Sequence, residues 1–244
     1  MKIGIVTGAS SGIGRWFAVY APHYFREIDE LWIVGRDVNK LSLVASKLKY
    51  SYKILQMDLC NDEHYEILLK ELRRNRPEIK LLVNCAGNGL IGPFYMIHEQ
   101  EHCDTVRLNC EALTRMTRIC LPYMVMNAHI INIASAAAFM PQKDFAVYAA
   151  SKSYVLRLSL ALSGELKKRG IYVTAVCPGC IKTPFFDYAQ KYQKRKAYKN
   201  IFLYNARKVV VQSYTDALKQ KTISIPGFLM KLLYIFSKIC PFWI

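Results

Sequence analysis

Acidic residues are scarce in this chain. Only 18 Asp and Glu stand against 34 Lys and Arg, a formal net charge of +16 over 244 residues. That imbalance disfavours cationic partners. It suits an anionic surface, an acidic group or plain solubility, and it bears on none of the fold. Nucleic acid is not an expected partner. Long uncharged apolar runs are missing too. The best candidate, Phe228–Ile239, carries Lys231 and Lys238 and is too short to span a bilayer. No internal repeat, low-complexity linker or second compositional block divides the sequence, so residues 1–244 are expected to form one domain around one sizeable core. The first strand is expected to begin at Lys2. Neither a signal peptide nor a transit peptide is therefore expected, and the expected location is the cytoplasm.

Cysteine is not scarce, but the spacing of a small disulfide scaffold is. Cys60, Cys85, Cys103, Cys110, Cys120, Cys177, Cys180 and Cys240 lie mostly in apolar stretches and are expected to be reduced thiols. Cys177-Pro178-Gly179-Cys180 matches the C-x-x-C spacing. It follows a strand and opens a loop instead of starting a helix, which argues against a redox or metal role. No metal site is expected.

What the chain does have is alternation. Apolar runs at 3–6, 31–34, 52–57, 79–83, 129–134 and Ile171–Val176 predict six strands, and 222–225 a seventh. Helical spacing separates them, over 38–50 (Leu41, Val44, Ala45, Leu48), 62–76 (Tyr65, Leu68, Leu69, Leu72), 99–126 with a possible kink at Pro122, and 146–169. Strand-helix alternation of this kind predicts an α/β domain, a doubly wound parallel sheet of about seven strands with helices on both faces. The 182–221 segment is less regular and very basic.

The chemistry-bearing residues fall at strand ends. Thr7-Gly8-Ala9-Ser10-Ser11-Gly12-Ile13-Gly14 joins the first strand to a helix. A glycine turn there lets backbone approach a phosphate, and the helix N-terminus offers it unpaired N–H groups. Arg36, Asn84 and Ser135 end three other strands. Tyr148 and Lys152 are four apart on a helix and share a face. A cation beside a phenol lowers its pKa and readies it for proton exchange, while a serine hydroxyl can donate to a carbonyl oxygen. Together these suit the interconversion of a carbonyl and an alcohol beside a hydride carrier.

With these residues in place the sequence resembles the short-chain dehydrogenase/reductase family, of the short classical type. The matching pieces are the 7–14 turn, Asp58-Leu59, Asn84-Cys85-Ala86-Gly87, Asn109, Ser135, Tyr148-Ala149-Ala150-Ser151-Lys152 and Pro178-Gly179, in the family's order from Lys2 to about Thr183. The resemblance implies a Rossmann-like fold and nicotinamide-dependent redox chemistry in a single NAD(P)-binding catalytic domain. It implies Tyr148 as acid/base, Lys152 as the group that lowers its pKa and holds the nicotinamide ribose, Ser135 as the carbonyl anchor, and Asn109 as holder of a relay water. It also implies cofactor contacts at Gly8, Ser10, Ser11, Gly12, Ile13, Gly14, Asp58, Leu59, Asn84, Ala86, Gly87, Pro178, Gly179, Ile181 and Thr183. Cys85 and Cys180 depart from the family pattern. A family member that binds NADP(H) and regulates without turnover is the alternative.

Gly35 and Arg36 follow the second strand where an acidic residue would select a ribose 2′-hydroxyl. Arg36 suits a 2′-phosphate, and Asp37 reads as a helix cap, so NADP(H) is expected over NAD(H). The 185–221 stretch corresponds to the family's variable substrate region. Its Phe185, Phe186, Tyr188, Tyr192, Tyr198, Phe202 and Tyr204 suit an apolar carbonyl or alcohol such as a 3-oxoacyl thioester or a steroid. Its Lys191, Lys194, Arg195, Lys196 and Lys199 suit an acidic group or surface. The 228–244 tail is expected to seal the pocket, to join a homodimer or homotetramer, or to touch a membrane peripherally.

Overall fold

The computed structural model describes residues 1–194 and 203–239. Arg195, Lys196, Tyr198, Lys199, Phe202 and the 240–244 end of the tail, Cys240 included, lie outside the described residues.

The strands are β1 (Lys2–Thr7), β2 (Glu30–Gly35), β3 (Ser51–Gln56), β4 (Glu78–Asn84), β5 (Met124–Ile133), β6 (Ile171–Val176) and β7 (Ile223–Ser224). They form one parallel sheet in the order β3-β2-β1-β4-β5-β6-β7. Successive apolar residues point to opposite faces, which is why the strands read as unbroken apolar runs. Ile5, Trp32, Leu82 and Ile130 pack on one side with Leu68 and Leu72 of α3 (Tyr65–Asn75) and Met116 of α5 (Ala112–Cys120). Val6, Ile33, Val83 and Ile131 pack on the other. Their partners there are Phe17 of α1 (Gly12–Tyr24), Leu41 of α2 (Val38–Ala45) and Tyr214 of α8 (Ala206–Leu218). The order reverses between β1 and β4, so the crevice beyond the carboxyl ends of these strands is the ligand position of such a sheet.

The predicted 99–126 helix is divided. It runs as α4 (Glu99–Val106), a π-helical stretch Arg107–Glu111 and α5, then a 3₁₀ turn Leu121–Tyr123. Pro122 has no N–H for a helix interior and sits at the start of that turn. β5 accordingly begins at Met124, well before the predicted His129. Asn127 takes a left-handed φ of 63°, and the β4–β5 register shifts between Ile79 and Leu81. This irregular, exposed start hides the strand from the alternation pattern. α2 stops at Ala45, short of residue 50, and Tyr50 instead donates from its hydroxyl to the Ala18 carbonyl at 3.0 Å. The described residues of the 182–221 segment include two helices the sequence did not announce, α7 (Phe185–Ala189) and α8.

α6 (Ala146–Leu166) carries the Tyr148-to-Lys152 spacing, and α9 (Phe228–Ile239) closes the described chain. Among the described residues no helix is long and apolar enough to cross a membrane. No group of three or more His, Cys, Asp or Glu there could hold a metal.

Candidate active site

The turn after β1 is shaped by its glycines. Gly8 and Gly12 take positive φ of 64° and 54°. A Cβ on Gly8 would approach the Ala86 backbone to 2.9 Å, and one on Gly14 would strike the Gly8 carbonyl oxygen. Ser11 leads into α1 with extended backbone and makes no side-chain cap. Ser10, Ser11, Gly12, Ile13 and Gly14 line a cleft of about 600 Å³. Thr7 Oγ1 ties the opposite wall to β1, accepting from the N–H groups of Cys85 at 3.0 Å and Ala86 at 3.2 Å. A turn whose backbone is packed this closely at Gly8 and Gly14, at a helix N-terminus, fits a pyrophosphate.

Arg36, Asp58 and Leu59 line the far end of this cleft. The Arg36 side chain is 75% exposed, with Nη1 4.0 Å from Asp58 Oδ2. Asp37 faces away. It caps α2 by accepting from the Lys40 N–H at 3.0 Å, and its carboxylate pairs with Lys40 Nζ at 3.1 Å. These contacts hold the Asp37 carboxyl below its ordinary pKa.

Ser135, Tyr148 and Lys152 meet at the inner end of a second, largely apolar cavity of about 580 Å³. Ser135 accepts from the Ala137 N–H at 3.1 Å and hydrogen-bonds to the Tyr148 phenol. The Lys152 ammonium donates to the Ile133 carbonyl at 2.8 Å and lies 5.7 Å from the centre of the Tyr148 ring. Burial pushes Lys152 down to about 8 and Tyr148 up to about 12, against the lowering effect of the Ser135 bond. This departs from the expected phenol of depressed pKa. The Lys152 ammonium is directed to a main-chain carbonyl, and burial sets the direction of the Tyr148 shift. Phe145 stacks on Tyr148 at 4.2 Å, and a Cβ on Gly89 would run into its ring.

Asn109 comes from the π-helical stretch and is buried, not exposed as most helical Asn are. Its amide donates to the Asn88 carbonyl at 2.8 Å and to Ser151 Oγ at 2.9 Å, and its oxygen accepts from the Asn88 N–H at 3.0 Å. Asn109 thus fixes the loop after β4 against α6. Asn84 is buried beneath the cleft and not on its surface, where it donates to Thr117 Oγ1 at 3.0 Å and Asn132 Oδ1 at 2.9 Å.

The cleft and the cavity share Ile13, Cys85, Gly87, Thr183 and Phe185, so they open into one another beside Lys152. Pro178, Gly179 and Ile181 line the cavity, and Ala86 the cleft. Of the aromatic residues assigned to substrate, Phe185 and Phe186 line the cavity. Tyr188 lines the cleft instead, Tyr192 donates to Glu101, and Tyr204 packs against Gly179 and Gly227. Sequence reading missed Phe145, Gln142 and Ile91 in the cavity, and Cys60, Asn88 and Asp104 in the cleft. Phe145 precedes α6 at its N-cap position, three residues before Tyr148, and left no signal of its own in the sequence. Cys177 is buried at the end of β6 with its thiol pushed up to about 12, and no helix follows it. A reactive thiolate has no support there, and Cys177 and Cys180 are both free.

The family model described as short chain dehydrogenase matches residues 2–194. The chain belongs to that family. An uncharacterized oxidoreductase of Staphylococcus epidermidis is 29% identical over 188 residues, 76% of this chain and 80% of that protein. A short-chain dehydrogenase from Sphingobium yanoikuyae, solved in complex with NADPH, is 27% identical with a TM-score of 0.81, covering 93% of this chain and 89% of that one. A bulky-bulky ketone specific alcohol dehydrogenase from Comamonas testosteroni is 26% identical with a TM-score of 0.77, covering 98% and 92%. The short-chain dehydrogenases are oxidoreductases of nicotinamide cofactors, and the seven-stranded parallel sheet matches their fold.

Proposed function

We propose that this chain is an NADP(H)-dependent carbonyl reductase/alcohol dehydrogenase acting on an apolar, lipid-like ketone or secondary alcohol. The observation that carries the reading is the Ser135–Tyr148–Lys152 cluster at the junction of a glycine-lined cleft and an apolar cavity. The backbone of residues 10–14 would hold the pyrophosphate and Arg36 a 2′-phosphate. When bound, the nicotinamide supplies or accepts the hydride. Ser135 Oγ, oriented by the Ala137 N–H, donates to the substrate oxygen. In the reducing direction Tyr148 delivers its phenolic proton to that oxygen, and the Lys152 ammonium stabilises the phenolate left behind. Phe145, Phe185 and Phe186 exclude water and favour a flat or long apolar substrate. The similarity to the Comamonas enzyme, which is specific for bulky-bulky ketones, supports this substrate class.

The test is turnover of NADPH by the purified protein across a panel of cyclic, steroidal and 3-oxoacyl ketones. Reduction of an apolar ketone is the expected result. NADPH binding with no turnover of any ketone would instead favour a silent cofactor-binding regulator.

A further inference from the structure

α9 has three arcs. With about 100° per residue, Met230, Leu233 and Tyr234 point inward, where they pack with Phe139 and the cavity wall. Lys231 and Lys238 share one edge. The rest of the helix is an outward apolar arc of about 120° made of Phe228, Leu229, Leu232, Ile235, Phe236 and Ile239. All six are exposed, Phe228 and Ile239 by three quarters of their surface. Three of them, Leu229, Leu232 and Phe236, also line the cavity. One helix face therefore both meets the outside and walls the site, so the mouth of the cavity opens at this patch.

We propose that α9 docks on an anionic lipid surface and that the apolar substrate enters the cavity from that surface. The substrate part rests on the function proposed above. The charges around the patch favour lipid. Lys231 and Lys238 border the apolar arc, and exposed Lys143 and Lys182 adjoin the cavity-lining residues Gln142, Ile181 and Thr183. Asp144 and Asp187 are the acidic residues adjoining that rim. A second copy of the chain would bring the same lysine edge and the same net charge of +16 against this one, whereas an anionic headgroup layer opposes it with negative charge. An amphipathic helix with lysines beside its apolar face is the form that lies in a membrane interface.

The test is co-sedimentation of the full chain with phosphatidylcholine vesicles, with and without phosphatidylserine, beside light scattering in solution. The variants are Ile235→Asp with Ile239→Asp, neither of which lines the cavity, and Lys231→Glu with Lys238→Glu. The expected result is binding that needs phosphatidylserine and falls by about tenfold or more in both double variants. Turnover of a short water-soluble ketone should be unchanged, while turnover of a long-chain ketone dissolved in vesicles should fall with binding. The proposal is overturned if the parent does not bind phosphatidylserine vesicles above the phosphatidylcholine background, or if the variants bind equally well. A parent dimer that Ile235→Asp with Ile239→Asp makes monomeric, without vesicle binding, assigns the face to a second copy. Vesicle binding that depends on these residues, with no turnover of any ketone, would overturn the proposed function and leave the docking intact.

Discussion

Arg36 and Asp37 are neighbours at the end of β2, and the structure separates them. Arg36 lines the cleft, while Asp37 is turned to the start of α2 and to Lys40. Cofactor choice should follow that separation. Arg36→Ala is predicted to weaken NADPH binding roughly tenfold or more, the size of a lost charge-assisted bond, and to leave NADH binding nearly unchanged. Titration of both nucleotides against parent and variant checks this. Equal affinities in the parent would give the pocket to other residues. His129 makes a second prediction at this scale. It is buried against Phe25 and Tyr172, and burial lowers its pKa from 6.5 to about 4. A lowered cation pKa means that the unfolded chain takes up the proton first. Stability should therefore fall as pH drops from about 6.5 to about 4, by at most roughly 3 kcal/mol. His129→Leu should flatten that part of a Tm-against-pH profile. The residues legible in sequence were those with a local signature: the glycines of the turn, and Tyr148 with Lys152 one helical turn apart. Asn109 was legible as a position but not in its contacts, because its partners Asn88 and Ser151 come from distant segments. The direction of the Tyr148 shift was not legible either, since burial is set by packing.

At the scale of elements, the strands were read well where both faces are covered and poorly where the ladder is irregular, as at the start of β5. The π-helical stretch had no sequence signature at all, yet it is what carries Asn109 inward. The short segment from α7 to Lys194 is held over the site by tertiary contacts that no local pattern announces. The Ile91 N–H donates to the Ala189 carbonyl at 2.7 Å, while Glu101 of α4 accepts from Lys191 Nζ at 2.9 Å and from the Tyr192 hydroxyl. Those two donors hold the Glu101 carboxyl below its ordinary pKa. The latch is thus in place at neutral pH and is lost as pH falls through that lowered value. Tyr188 and Phe185 of the latched segment line the cleft proposed to hold the cofactor. Glu101→Gln should therefore release NADPH a few-fold faster at neutral pH, read by stopped-flow displacement. An unchanged release rate would show that the Glu101 contacts do not control the segment.

Over the whole molecule, the family match ends at residue 194, and α8, β7 and α9 lie beyond it. The sheet and its crevice follow from strand-helix alternation, which repeats along the chain. The wall that α9 gives the cavity does not follow from it, because an amphipathic helix at a chain end can pack in several ways. The central claim is that one apolar cavity and one dinucleotide cleft meet at a tyrosine that moves the proton. Tyr148→Phe tests it most directly, with NADPH binding and ketone reduction measured on the same preparation. The variant should bind NADPH within a few-fold of the parent and lose turnover by about three orders of magnitude or more. A variant that still reduces ketones at near the parental rate would contradict the account.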